Sequence, residues 1–297
     1  MISQRHNVKS HKNILSMKTT KKILKSGMLA ILSLAVVFAL TNCKKSQKEG
    51  QDKTSEKSEK ISKEEVKKQV EEVVYPIPTT YNITKKLNEI GAGFIIGISN
   101  DVENVDKYVA EDKQAMNLGV YSADLSYTST YGIKQYTKDY MNVTKTLIQE
   151  LGITGAFSVD FYDKVEKNLD NKEKLVNLIS DSFYDTYEYM NKKGKDELSL
   201  LVVAGSWIEA MYITTHISET TYHNKEIVNL IENQEKTLND LLEAIKPYKE
   251  HESINKIVEG LKPIKDTYKN LDEDGFTKEQ VMKIQTQIAK LRNDVIS

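Results

Sequence analysis

From Ile83 onward, apolar residues return every third or fourth position and almost never every second one. Ile83, Leu87, Ile90, Phe94 and Ile98 form one such stripe, as do Tyr136, Tyr140, Val143, Leu147 and Leu151. The pattern continues through Leu175 to Met190, Ile227 to Ile245, and Val281 to Val295. A 3.6-residue period places each set on one face of an α-helix, so the segments must bury those faces against one another. Stop and start signals separate them at Ser99-Asn100-Asp101, Gly132, Gly152 to Gly155, Asp170-Asn171, Gly194, Pro247 and Asp272 to Gly275. Thr277-Lys278-Glu279-Gln280 reads as a capping box that opens the last helix. The expectation is an all-α fold over residues 75–297, with about nine helices in an antiparallel bundle or a short curved helical array. "LGVYSADLSYTSTYG" and the helix after it have a tetratricopeptide-like feel, but no second copy follows. "EAIKPYKE" and "EGLKPIKD" echo each other and read as two helix ends or kinks around a proline.

The N-terminal 42 residues have another character. Lys18, Lys21, Lys22 and Lys25 precede an uncharged run whose apolar heart, Met28 to Leu40, is 13 residues long. A helix needs about 20 to cross a bilayer, so this run reads as the core of an export leader starting at Met17, with Met1 to Ser16 as an extension. It ends in Leu40-Thr41-Asn42-Cys43, and Cys43 is the chain's one cysteine. That ending resembles the bacterial lipobox. The resemblance implies that the Cys43 thiol carries a diacylglycerol, that cleavage follows Asn42, and that the new amine is acylated. Two or three chains anchor stably where one does not, at about 0.8 kcal/mol per buried CH₂. Lys44 rather than an acid after the cysteine implies the outer membrane; its periplasmic or surface face stays open.

Residues 43–74 form a lysine-rich tether with too little apolar surface to fold, except for a capping box at Ser62 to Glu65. "YPIP" at Tyr75 to Pro78 then marks the start of the helical domain. Together with the leader and tether, the opening "YPIPTTYNITKKLNEIGAGFIIGISN" is similar to the uncharacterised all-helical lipoproteins of Bacteroidota-type Gram-negative bacteria. That resemblance implies no particular activity.

The whole chain has 42 basic and 43 acidic residues, but seven of the basic ones and none of the acids precede Cys43. What remains is 35 against 43, a formal net charge of −8. Such a balance disfavours nucleic acid, whose affinity comes from cations neutralising phosphates. With Cys43 acylated, disulfides and thiolate metal sites are unavailable, and no cofactor motif is present.

One segment, Leu198 to Ile217, is apolar on nearly every side and belongs in the middle of the fold. Glu209, Tyr212, His216, Glu219 and His223 step along it by three, four, three and four. Such a line could contact a small ligand, hold a metal, or pair a carboxylate with an imidazole for acid–base work. It could equally satisfy its own hydrogen bonds inside the core. Neither HExxH nor the Glu-x-x-His pair of di-iron bundles occurs, so no catalytic or metal set is assigned and enzymatic activity stays open. Gly91, Gly93 and Gly97 lack the context of a phosphate cradle; Gly93 and Gly97 read as sites where another helix comes close. The tyrosines between Tyr108 and Tyr140 and between Tyr184 and Tyr222 could line a peptide or glycan groove, or pack helices. Trp207 reads as core and His251 as surface. Two functions stand side by side: a membrane-anchored binding or scaffold module with an envelope protein, peptide or glycan partner, and a ligand or metal site at Glu209, Tyr212 and His216.

Overall fold

The computed structural model describes residues 80–217, 221–269, 271 and 275–297. The leader, Cys43, the tether with its Ser62 to Glu65 cap, the Tyr75 to Pro78 segment and Glu219 lie outside the described residues. Ten α-helices are described: α1 (Thr80–Glu89), α2 (Glu111–Tyr131), α3 (Lys134–Glu150), α4 (Phe161–Lys167), α5 (Lys172–Lys192), α6 (Asp196–His216), α7 (Lys225–Glu232), α8 (Gln234–Ile245), α9 (Glu252–Tyr268) and α10 (Lys278–Ile296). No β-strand forms among the described residues, and the all-α expectation holds.

Most helix ends fall where the sequence places them. Gly132 sits at φ 73° and closes α2: its N–H bonds Ser129 O at 3.0 Å, and Ile133 N–H reaches back to Thr128 O at 2.9 Å. This is the Schellman closure that a left-handed residue permits, and Gly152 and Gly194 end α3 and α5 by the same bonds. Thr277 and Gln280 form the expected capping box on α10. The stripe from Ile227 to Ile245 is interrupted at Asn233 and makes two helices, although its apolar residues stay buried on one side. Pro247 lies in the turn after α8, whereas Pro263 lies inside α9, so the two echoes are one helix end and one internal site.

One stripe is cut short. Gly91, at φ 75°, ends α1, with Ala92 N–H returning to Leu87 O at 3.0 Å, so Phe94 and Ile98 lie on a loop despite their helical spacing. Gly93 and Gly97 belong to this loop, and a Cβ on either would meet nothing within 4 Å. They are not helix contacts, contrary to the expectation.

The close helix contact lies elsewhere. α2 packs along α6 more extensively than any other pair, and each supplies a glycine at the crossing. A Cβ on Gly119 would stand 2.0 Å from Val202 O, and one on Gly205 would stand 2.0 Å from Met116 O. Without side chains there, the two backbones touch. The remaining helices wrap this pair, with α1, α3 and α5 against α2 and α10, α7 and α8 against α6, which makes a bundle around a buried centre. α6 buries 18 of its 21 residues, Trp207 among them. Among the described residues it is the one helix long and apolar enough to cross a membrane, and its burial inside the protein makes it a core helix.

The sequence points to a single such core helix, yet α2 buries 16 of its 21 residues as well. Its polar residues misled the reading because they are mostly hydroxyls that bond back to their own helix. Ser122 Oγ donates to Leu118 O at 2.6 Å and Thr128 Oγ1 to Asp124 O at 3.0 Å, so a serine-rich and threonine-rich helix can be buried at little cost.

Candidate functional site

The line on α6 leads to a buried charged cluster. Glu209 is 0% exposed, and both its oxygens are held by Arg292 of α10, Nε to Oε2 at 2.8 Å and Nη2 to Oε1 at 2.9 Å. This bidentate fork is the arrangement lysine cannot reproduce. The same Nη2 donates to Ile98 O at 3.3 Å, tying the loop after α1 to the pair. Asp124 of α2, also 0% exposed, accepts from Asn100 N–H at 3.1 Å. Burial pushes the Asp124 carboxyl well above the usual carboxylate range, with repulsion from Glu209 adding to the rise and Arg292 opposing it. The Ser99 hydroxyl also interacts with this carboxyl, although neither Ser99 Oγ nor Asp124 Oδ1 makes a hydrogen bond of good geometry. One cation therefore faces two buried carboxyls, and a proton on Asp124 leaves the cluster neutral.

Tyr212 and His216 extend the cluster outward. The Arg292 guanidinium lies 4.2 Å from the Tyr212 ring centroid, and the Tyr212 and His216 rings stack at 4.2 Å with planes 29° apart. His216 Nδ1 is 2.8 Å from Tyr212 O, a carbonyl that can only accept, so Nδ1 carries the proton. Burial lowers the His216 pKa and Arg292 lowers it further, against the pull of the Tyr212 carbonyl, which keeps the ring neutral at pH 7. α6 ends at His216, so His223 leaves the line. It sits on a separate 3₁₀ turn, its ring 4.0 Å from that of Tyr222. Among the described residues no group of three His, Cys, Asp or Glu side chains could hold a metal. Glu209, paired with Arg292 through both oxygens and 0% exposed, presents no solvent-facing oxygen to a ligand.

Tyr136 is exposed, but the other tyrosines from Tyr108 to Tyr140 pack inward and serve the loop over residues 91–101 with their hydroxyls. Tyr131 donates to Ala92 O at 2.8 Å, Tyr140 to Asn100 O at 2.9 Å and Tyr121 to Asp101 O at 2.7 Å. Tyr127 accepts from Ile95 N–H at 2.9 Å. Tyr108 accepts from Asn100 Nδ2 at 3.0 Å and donates to Ile296 O at 3.2 Å. An irregular segment pressed against a core needs partners for its backbone, and here phenols supply them. His251 is half-buried at the start of α9, its Nε2 3.7 Å from Asp112 Oδ1. That corrects its reading as a surface residue.

Sequence reasoning missed Arg292 and Asp124. Arg292 carried a signal: it is the one arginine after Arg5 in a chain rich in lysine. A residue type used once points to a geometry that the common alternative cannot provide. Asp124 carried none, being one polar residue among many on α2.

Because Asp124 has a raised folded-state pKa, its contribution to stability is complete below the ordinary carboxyl value of about 4 and declines as pH rises through the folded value. Asp124→Asn keeps the shape and removes the titration. Thermal melts at about pH 5, 7 and 9 should show the variant gaining on the parent as pH rises. A difference that stays constant with pH would mean that Asp124 does not titrate there.

An opening of about 690 Å³ lies between α9, α10 and the start of α2. Met116, Ile257, Leu291 and Val295 form its floor, and charged side chains such as Asp112 and Lys290 form its rim. Comparison with known proteins finds no matching family model, no matching curated protein and no matching solved structure.

Proposed function

We propose that this chain is a lipid-anchored helical binding or scaffold module of the cell envelope, tethered to the outer membrane through Cys43, with no catalytic role. The leader and its Leu40-Thr41-Asn42-Cys43 ending support the anchor. The observation that supports a non-catalytic domain is the closure of the α6 line. Glu209 spends both oxygens on Arg292 at 2.8 and 2.9 Å in a fully buried site, so no acid–base pair on this line faces solvent. The groove of about 690 Å³ is of the size that ligands or partner side chains occupy, and its mixed rim suits an uncharged or zwitterionic partner such as a peptide or glycan. The acidic balance after Cys43 argues against nucleic acid.

Two measurements in cells test this reading. Cys43→Ser should leave a larger, unacylated precursor that no longer fractionates with the outer membrane; a variant that fractionates like the parent would refute the anchor. A photo-crosslinking residue at Asn255, on the groove, should give one discrete adduct that the same residue at Asp163 does not. Indistinguishable adduct patterns at the two positions would refute the groove as the partner site.

A further inference from the structure

A second opening lies inside the bundle, beneath α4, and has about 50 Å³ of interior volume. Its walls come from Leu118 and Leu125 of α2, Met141 and Ile148 of α3, Ile179 of α5 and Val202 of α6. No Asp, Glu, Lys, Arg or His lines it. Hydroxyls do, and the protons of four are committed: Ser122 to Leu118 O at 2.6 Å, Thr144 to Met141 O at 2.9 Å, Ser182 to Ile179 O at 2.7 Å and Thr186 to Ser182 O at 2.8 Å. Tyr162 differs from these: its hydroxyl is buried and finds no accepting group in the protein. A buried donor without an acceptor is costly, and such a group calls for an explanation.

The roof is thin. α4 has seven residues, of which Val165 alone is buried, and it is flanked by the loops on either side. Phe157, Phe161 and Tyr162 clasp one another across it, with ring centroids 5.1 to 6.4 Å apart. Lys145 caps the Tyr162 ring at 4.7 Å, although it does not line the cavity. Burial pushes the Tyr162 pKa up to about 12, so the phenol remains a donor at neutral pH.

We propose that the cavity beneath α4 is a binding site for a small neutral amphiphile: a short apolar chain ending in one hydroxyl or carbonyl oxygen, which accepts the Tyr162 proton. The apolar walls take the chain and the orphan hydroxyl fixes the oxygen. A charged end is rejected because no opposite charge lines the cavity to offset its lost hydration. An interior of this volume has room for about three to five waters, which matches a chain of about four carbons when α4 yields slightly. The site is separate from the Glu209 cluster and does not depend on the lipid anchor.

The test is a titration of the full chain with 1-butanol, followed through the methyl NMR signals of Met141, Val165 and Ile179. The expected result is saturable shifts in those methyls at millimolar alcohol, with butyrate binding at least about tenfold more weakly. Tyr162→Phe should fold at least as stably, since it removes an unsatisfied buried group, and should bind butanol about fivefold more weakly. Absence of saturable shifts would overturn the site. Butyrate binding as well as butanol would overturn the neutral class of ligand, and unchanged butanol affinity in Tyr162→Phe would overturn the role of the phenol.

Discussion

Gly119→Ala is expected to leave the domain largely unfolded at 25 °C. The added methyl would stand 2.0 Å from Val202 O and 2.7 Å from Ser206 N, both backbone atoms that cannot rotate away. Relief requires α2 and α6 to separate, and that contact is the most extensive in the fold. Overpacking a core costs about 1–3 kcal/mol when side chains can adjust, and more when backbone must move. Domains have about 5–15 kcal/mol in all, so several of them lost at one crossing is most of the margin. Gly205→Ala should behave alike, with Met116 O at 2.0 Å. Gly91→Ala makes a fair control: nothing lies within 4 Å, and the cost is limited to placing alanine at φ 75°, about 1 kcal/mol. Denaturant melts of the three variants check the ordering. Equal, small losses at Gly119 and Gly91 would mean the two central helices do not meet as described.

The second large effect is expected at Arg292. Arg292→Met fills a similar volume but leaves Glu209 as an unpaired charge at 0% exposure and Ile98 O without its donor. Breaking a buried pair from one side costs about 3–5 kcal/mol. The opposite truncation should cost less. In Glu209→Gln the guanidinium keeps a second carboxyl within electrostatic reach, because Asp124 also acts on Arg292, and Asp124 can give up its proton once the repulsion from Glu209 is gone. Arg292→Lys should fall between the two, since it retains charge and loses the fork. Urea melts at pH 7 give all three values.

Helix positions were legible because their signals are local. Gly132, Gly152 and Gly194 end helices through bonds reaching three and five residues back, and Thr277 caps α10 three residues ahead. The first stripe failed for a related reason. Phe94 and Ile98 keep helical spacing and are drawn inward, but the Schellman closure at Gly91 stops the helix, and phenols on α2 and α3 take over the backbone bonding. Those phenols stand 32 to 40 positions from their partners, beyond the reach of any periodicity argument. The α6 line was legible as a set of residues but not as an arrangement. Glu209 finds Arg292 83 positions away, and Asp124 reaches the cluster from a helix whose burial its hydroxyls disguise. Ligand space was not legible either, since the walls beneath α4 are ordinary core residues from separate helices.

At the centre of this account is the claim that the charged line of α6 is a closed brace that holds α10 and the loop over residues 91–101 in place. The double variant Glu209→Gln/Arg292→Met tests it most directly, through its unfolding free energy relative to the two single variants. The account predicts that the double variant is more stable than Arg292→Met alone by at least about 1 kcal/mol, because the second change removes the charge the first one stranded. A double variant as unstable as the sum of the two single losses would show that the residues act independently and that no such brace exists.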